Sequence, residues 1–248
     1  MSGVEPSDFR TVGEFEVLFW QESEHIRAKD PKALEYGPHY VTQHPSRTTK
    51  GPGEKHTNEW LPLLILAKQV AGQHANWDKT LTLSVSHGDD RKTHDGKSYD
   101  ASYKFVDNNF QSKQPLRFQS KQPLRYIEVT RGNSSKASAS LKEEDKILSS
   151  RGTTTLPVTD GMAGIEEMKA DILLAVENKS RKFGSGQYQA ETTLLVWLRS
   201  EYNLAWGRHA LDHEDFRKSV LNCAAEAFSG ICIVGLTCGV VWMKGVSL

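Results

Sequence analysis

Apolar and polar residues alternate over residues 80–86 (TLTLSVS), where Leu81, Leu83 and Val85 share one face, and this pattern predicts a strand. Residues 100–107 (DASYKFVD) and 126–130 (YIEVT) have the same character, the second with a lone carboxylate, Glu128, between Ile127 and Val129. Residues 194–198 (LLVWL) form an apolar strand without alternation. Helical spacing is strongest over 164–183, where Ile165, Met168, Ile172, Ala175 and Val176 recur every three or four residues and Gly184 ends the run. An earlier helix runs through Trp60, Leu63, Leu64, Ala67 and Val70, opened by Thr57-Asn58-Glu59 and ending near Gly72. Pro62 is tolerated in its first turn, where the missing N–H has no helical partner. A further helix is expected over about 213–228.

Other segments are less regular. Residues 15–26 have an apolar beginning and a charged end, expected as a short helix or a strand running into one; Pro31, Gly37-Pro38, Pro45 and Gly51-Pro52-Gly53 then mark a linker or a substrate-contacting arm. Residues 87–97 (HGDDRKTHDGK) are expected as a polar turn, and a short helix is expected around 141–148 in a polar stretch. FQSKQPLR at 110–117 recurs unchanged at 118–125, which reads as a duplication inside a loop, since Pro115 and Pro123 discourage a central strand and loop entropy grows slowly with length. Near the C-terminus, residues 227–243 carry no charge. Gly230, Gly235 and Gly239 divide this run into two β-branched pieces, expected as buried strands, with a membrane anchor as the alternative.

The order is helix, three strands, helix, strand, helix and two strands. It implies an α/β fold with a mixed central sheet flanked by helices, residues 57–248 forming the domain and residues 1–56 an N-terminal arm. At 248 residues and 38% apolar, the chain is long enough for a sizeable core. Lys+Arg and Asp+Glu are both 31, which argues against coating nucleic acid by charge alone. A local basic flank remains: from Gln111 to Arg151 there are nine Lys/Arg against four Asp/Glu. The three cysteines, Cys223, Cys232 and Cys238, are spaced as buried thiols of a reducing compartment, and the N-terminus lacks a secretion signal, so a cytoplasmic protein is expected.

Phosphate-cradling, zinc-protease and nucleophile-elbow motifs are absent from the sequence. His209 and His213 lie four apart but lack a third ligand at a supporting interval, and a solvated helix start is the better reading. The informative set is Glu59, Asp100, Glu128 and Thr130. If 100–107 and 126–130 pair antiparallel, the start of the first lies beside the end of the second, bringing Asp100 to Glu128 and Thr130. Converging carboxylates suit Mg²⁺ or Mn²⁺, with Glu59 as a further ligand, and such a metal activates water and stabilises charge on a phosphodiester.

These residues resemble the PD-(D/E)XK nuclease superfamily, with its restriction-endonuclease-like core: an acidic residue on a helix, Asp on a strand, Glu-X-Lys on the next, then a helix and a further strand. The resemblance covers roughly residues 57–243, with Glu59, Asp100 and Glu128 at the acidic positions. Thr130 stands where the family lysine would be, and Tyr99 precedes Asp100 in place of proline. A lysine relocated to the following helix is part of the family pattern, which makes Lys179 and Lys182 the candidates. The resemblance implies a metal-dependent nuclease acting on DNA, with Gln187 placed to contact substrate; Lys113, Arg117, Lys121 and Arg125 of the duplicated loop are expected either as solvated residues or as contacts to the phosphate backbone. The alternative is a catalytically inactive protein of the same fold that binds nucleic acid or a protein partner. A homodimer is left open, and no membrane partner is expected.

Overall fold

The computed structural model of the chain describes residues 9–29, 35–36, 41–42, 56–77, 81–92, 98–107, 125–132, 161–184, 188, 192–198, 211, 213–224, 227–235 and 239–244. Strand β1 (Arg10–Thr11) leads into helix α1 (Val12–Lys29), and β2 (Glu35–Tyr36) pairs with β3 (Val41–Thr42). A π-type turn (His56–Trp60) opens helix α2 (Leu61–Trp77). Strands β4 (Leu81–Lys92), β5 (Ser98–Asp107) and β6 (Arg125–Arg131) follow, then helix α3 (Gly161–Gly184), β7 (Thr192–Leu198), helix α4 (Glu214–Ala224), β8 (Gly230–Gly235) and β9 (Gly239–Lys244).

Seven strands form one mixed sheet in the order β1-β4-β5-β6-β7-β8-β9. β4, β5 and β6 are an antiparallel meander, β6, β7 and β8 run parallel, and β9 returns antiparallel on β8. Each parallel step carries a helix in its connection, α3 before β7 and α4 before β8, as parallel neighbours require.

The sheet separates two apolar layers, and strand alternation decides which residue enters which. On β7, Leu195 and Trp197 join Phe15, Phe19, Leu63 and Val70 of the α1/α2 layer. Leu194, Val196 and Leu198 join Met168, Ile172 and Val220 of the α3/α4 layer. β8 repeats the division, with Cys232 and Val234 on one side and Ile231 and Ile233 on the other. A strand buried on both faces has no polar side to display, which is why LLVWL lacks alternation.

Three segments differ from the sequence reading. Residues 9–29, within the expected arm, are built into the fold: β1 pairs with β4, and Phe15, Phe19 and Ile26 of α1 are buried in the core. Each such side chain contributes about 1.5–3 kcal/mol by leaving water. The polar stretch expected as a turn at 87–97 is strand as far as Lys92, because the backbone ladder with β5 resumes at Arg91↔Tyr99 and Lys92↔Ser98 after a register shift. The helix before the sheet starts earlier than its cap suggested. A π-type turn over His56–Trp60 precedes the α-helix proper, which carries Pro62 at its second position.

The uncharged C-terminal run forms two strands, β8 and β9, joined antiparallel with Ile233↔Val241 and Val234↔Val240 in register. Among the described residues no helix is long and apolar enough to cross a membrane. Cys232 is a buried free thiol and Cys223 a half-buried one. The 110–124 part of the duplicated segment, the expected helix at 141–148, His209 and Cys238 lie outside the described residues.

Gly132 continues the β6–β7 ladder, donating its N–H to the Trp197 carbonyl at 2.9 Å. A Cβ there would stand 2.6 Å from Leu198 Cδ2 and 2.9 Å from Val196 Cγ1. Both side chains are fully buried, so neither has free space to move into. Gly132→Ala is therefore expected to destabilise the protein by about 1–3 kcal/mol, read as a lower urea midpoint at unchanged slope. An unchanged midpoint would show that the core yields at this point.

Candidate active site

Asp100 owes its position to two interruptions in neighbouring strands. On one side β4 bulges, so that Gly88, Asp89 and Asp90 oppose this single residue between the pairs His87↔Ala101 and Arg91↔Tyr99. On the other side the β5–β6 register covers Ala101↔Ile127, Ser102↔Tyr126 and Tyr103↔Arg125, and stops before Asp100. The Asp100 carboxylate takes over from the ladder: its Oδ2 accepts the Val129 N–H at 2.7 Å.

Strand alternation then fixes the face. Ala101, Tyr103, Ile127 and Val129 point into the α1/α2 layer, so Asp100, Glu128 and Thr130 belong to the α3 side. Glu128 is buried there, 7% exposed. Helix α3 presents a buried stripe of Met168, Ile172, Ala175 and Val176 to the sheet, and Lys179 continues that stripe one turn further. Its aliphatic stem follows the apolar surface while its ammonium donates to Glu128 Oε1. Tyr188, buried after α3, donates its hydroxyl to the same oxygen at 3.0 Å. Its ring lies near Phe183 and Phe228, with centroids 6.3 and 6.1 Å away.

Glu59 reaches the site from the π-type turn, which α1 holds in place. The His56 ring stacks on Phe19 at 4.2 Å, and its Nε2 meets Ser23 Oγ. The Ser23 hydroxyl proton goes to the Phe19 carbonyl at 2.8 Å, so Nε2 is the donor in the pair.

Burial raises the Asp100 carboxyl from an ordinary value of 3.8 to about 7, with the Glu128 charge adding to the rise. The Val129 N–H opposes the shift, Glu59 reinforces it and Lys179 opposes it. Three charged neighbours therefore act on Asp100. Burial and Glu128 also push the Tyr188 hydroxyl well above its usual range, which keeps it a proton donor.

Two crowded, partly desolvated carboxylates have the donor chemistry of a hard-cation site. Asp100 Oδ1 and Glu128 Oε2 take no hydrogen bond from any described residue. Among the described residues no group of three or more His, Cys, Asp or Glu side chains is placed to hold a metal, so Glu59 acts on Asp100 through its charge and does not complete a three-ligand set. Mg²⁺ needs no more than two protein carboxylates when water fills its remaining positions, and the pair fits that requirement.

Lys179 and Lys182 take different places. Lys179 meets Glu128, whereas Lys182 lines a 140 Å³ cavity with Thr130, Arg131, Asp171, Asn178 and Lys179 itself. Arg125 lies on β6 opposite Tyr103, with its side chain outside the described residues. Lys113, Arg117, Lys121 and Gln187 also lie outside them. His213 is exposed and faces Asp215 at 3.7 Å, as a solvated helix start would be. Tyr188 was not singled out from the sequence. The one signal for it is an aromatic residue among the polar residues of GSGQYQAE, just before the strand that pairs with β6.

Compared with known protein families, curated proteins and solved structures, the chain matches none.

Proposed function

We propose that the chain is a Mg²⁺-dependent nuclease that hydrolyses DNA phosphodiester bonds, built on a divergent restriction-endonuclease-like core. The observation that carries this reading is the meeting of Asp100, Glu128 and Lys179 on one face of the sheet. The lysine comes from the helix that follows the Glu128 strand, which is where the resemblance implies a relocated lysine. An antiparallel meander, a helix and a strand parallel to the third also supply the element order that the superfamily resemblance requires.

A divalent cation, when bound, supplies a lowered water pKa and positive charge at the scissile phosphate. Asp100 and Glu128, on adjacent strands, would hold that cation. The Lys179 ammonium stands beside Glu128, where it steadies negative charge developing on the phosphate oxygens and favours hydroxide over water. Arg131 and Lys182 line the adjoining cavity beside Asp171 and bring to it basic side chains that could contact the next phosphate of a nucleic-acid backbone. The excess of Lys/Arg between Gln111 and Arg151 extends that character along the chain.

The experiment is cleavage of supercoiled plasmid and of labelled oligonucleotides by the full chain, with Mg²⁺ or Mn²⁺ and with EDTA. Metal-dependent cleavage is the expected result. Binding in Ca²⁺ without cleavage of single- or double-stranded DNA or RNA would instead favour the catalytically inactive reading.

A further inference from the structure

The two donors on Glu128 converge on one oxygen. Lys179 Nζ and Tyr188 OH both reach Oε1, and a carboxylate oxygen has two in-plane lone pairs for such donors. The ammonium also lies 6.0 Å over the Tyr188 ring, whose face attracts a cation. Tyr188 is itself fixed among Phe183 and Phe228, so neither donor is set by chance rotation on the surface. Oε1 is thereby taken, and Oε2 remains for a metal. On the neighbouring strand Asp100 has its Oδ2 engaged by the Val129 N–H, which leaves Oδ1 as the oxygen without a described donor.

From this division of oxygens we propose that the site holds one divalent cation, between Glu128 Oε2 and Asp100, and that the Lys179 ammonium stands where a second cation would otherwise bind. The inference rests on the metal-dependent reading above and specifies it. Charge leads to the same count. The Lys179 ammonium already supplies positive charge beside Asp100 and Glu128, and a second divalent ion at Oε1 would meet that resident charge in a partly desolvated pocket. Tyr188 is a positioning residue in this scheme: it acts through Glu128, turning Oε1 toward Lys179 and Oε2 toward the metal.

The test counts Mn²⁺ per chain on the full-length protein, by the loss of the free-ion electron paramagnetic resonance signal and by calorimetry. The wild type is expected to bind one ion. Lys179→Met removes the resident charge and one of the two donors to Oε1, and is expected to bind two, the second more weakly. Lys179→Arg restores the cation and should return the count to one, which a purely structural role for Lys179 would not produce. Tyr188→Phe keeps the ring packing and should still bind one ion, with affinity lower by about tenfold. Lys179→Gln replaces the Met variant if that chain fails to fold by circular dichroism. Two ions of similar affinity in the wild type, or one ion in the charge-removing variant, would overturn the inference and leave the nuclease reading standing. No Mn²⁺ binding in the wild type would overturn both.

Discussion

Asp100→Asn is expected to make the metal-free protein more stable than the wild type at pH 8 while abolishing the proposed cleavage of DNA. The carboxyl has a value of about 7 in the folded chain against an ordinary 3.8, so folding favours its neutral form. Its contribution to stability is complete below about pH 4 and is lost as the pH rises through 7. At pH 8 the wild type carries an ionised Asp100 that burial and Glu128 both disfavour. Asparagine keeps an oxygen to accept the Val129 N–H at 2.7 Å and never ionises. The gain is on the order of a few kcal/mol, or about 5 °C or more in Tm. The wild-type advantage in acid should shrink steadily from pH 5 to pH 8 without metal, and the variant should lack that slope. Mg²⁺ should stabilise the wild type by mass action and leave the variant unmoved. Calorimetric scans across that pH range decide the matter, and equal slopes in the two proteins would contradict the assigned electrostatics.

The second large effect concerns Lys179. With Mg²⁺ at a concentration that fills one site, Lys179→Met is expected to lower kcat by about 10²–10³ and to change DNA affinity little. A contact made to charge that develops during reaction lowers turnover, whereas a contact to the resting backbone weakens binding and its salt dependence. Lys182→Met is expected to do the second: weaker binding with a shallower salt slope and a smaller effect on kcat, because Lys182 faces the cavity beside the carboxylates and does not meet them. Single-turnover cleavage beside a salt-dependent binding titration separates the two variants. Equal losses of affinity in both would show that Lys179 is another backbone contact.

The neighbourhood of Asp100 and Glu128 was legible in the sequence because strands have a period of two and hairpins reverse direction. Those rules alone place the first residue of DASYKFVD beside the end of YIEVT, near Glu128 and Thr130. The layers were legible for a similar reason, since LLVWL and GICIVG have no polar side and must be covered twice. The choice between Lys179 and Lys182 was not legible. They are three residues apart near the end of one helix, and only the packing of Ile172 and Val176 on the sheet fixes which is turned inward. Tyr188 escaped because its bond to Glu128 spans 60 residues and starts from a segment without periodicity. Helix α1 was obscured by its exposed apolar residues, Val17 and Trp20, which blur the stripe formed by Phe15, Phe19 and Ile26. The extension of β4 was hidden in HGDDRK because its ladder with β5 needs backbone groups alone, and polar side chains give no sign of that.

The central claim is that Glu128 and its neighbours cut phosphodiester bonds. The most direct measurement is Mg²⁺-dependent cleavage of one labelled DNA duplex and of its single strand by the wild type and by Glu128→Gln, purified side by side, with Kd for each DNA measured in Ca²⁺. The account predicts cleavage by the wild type, loss of at least about 10³ in rate for the variant and similar Kd values. Equal cleavage by both proteins, or none by a wild type that binds the DNA, would contradict it.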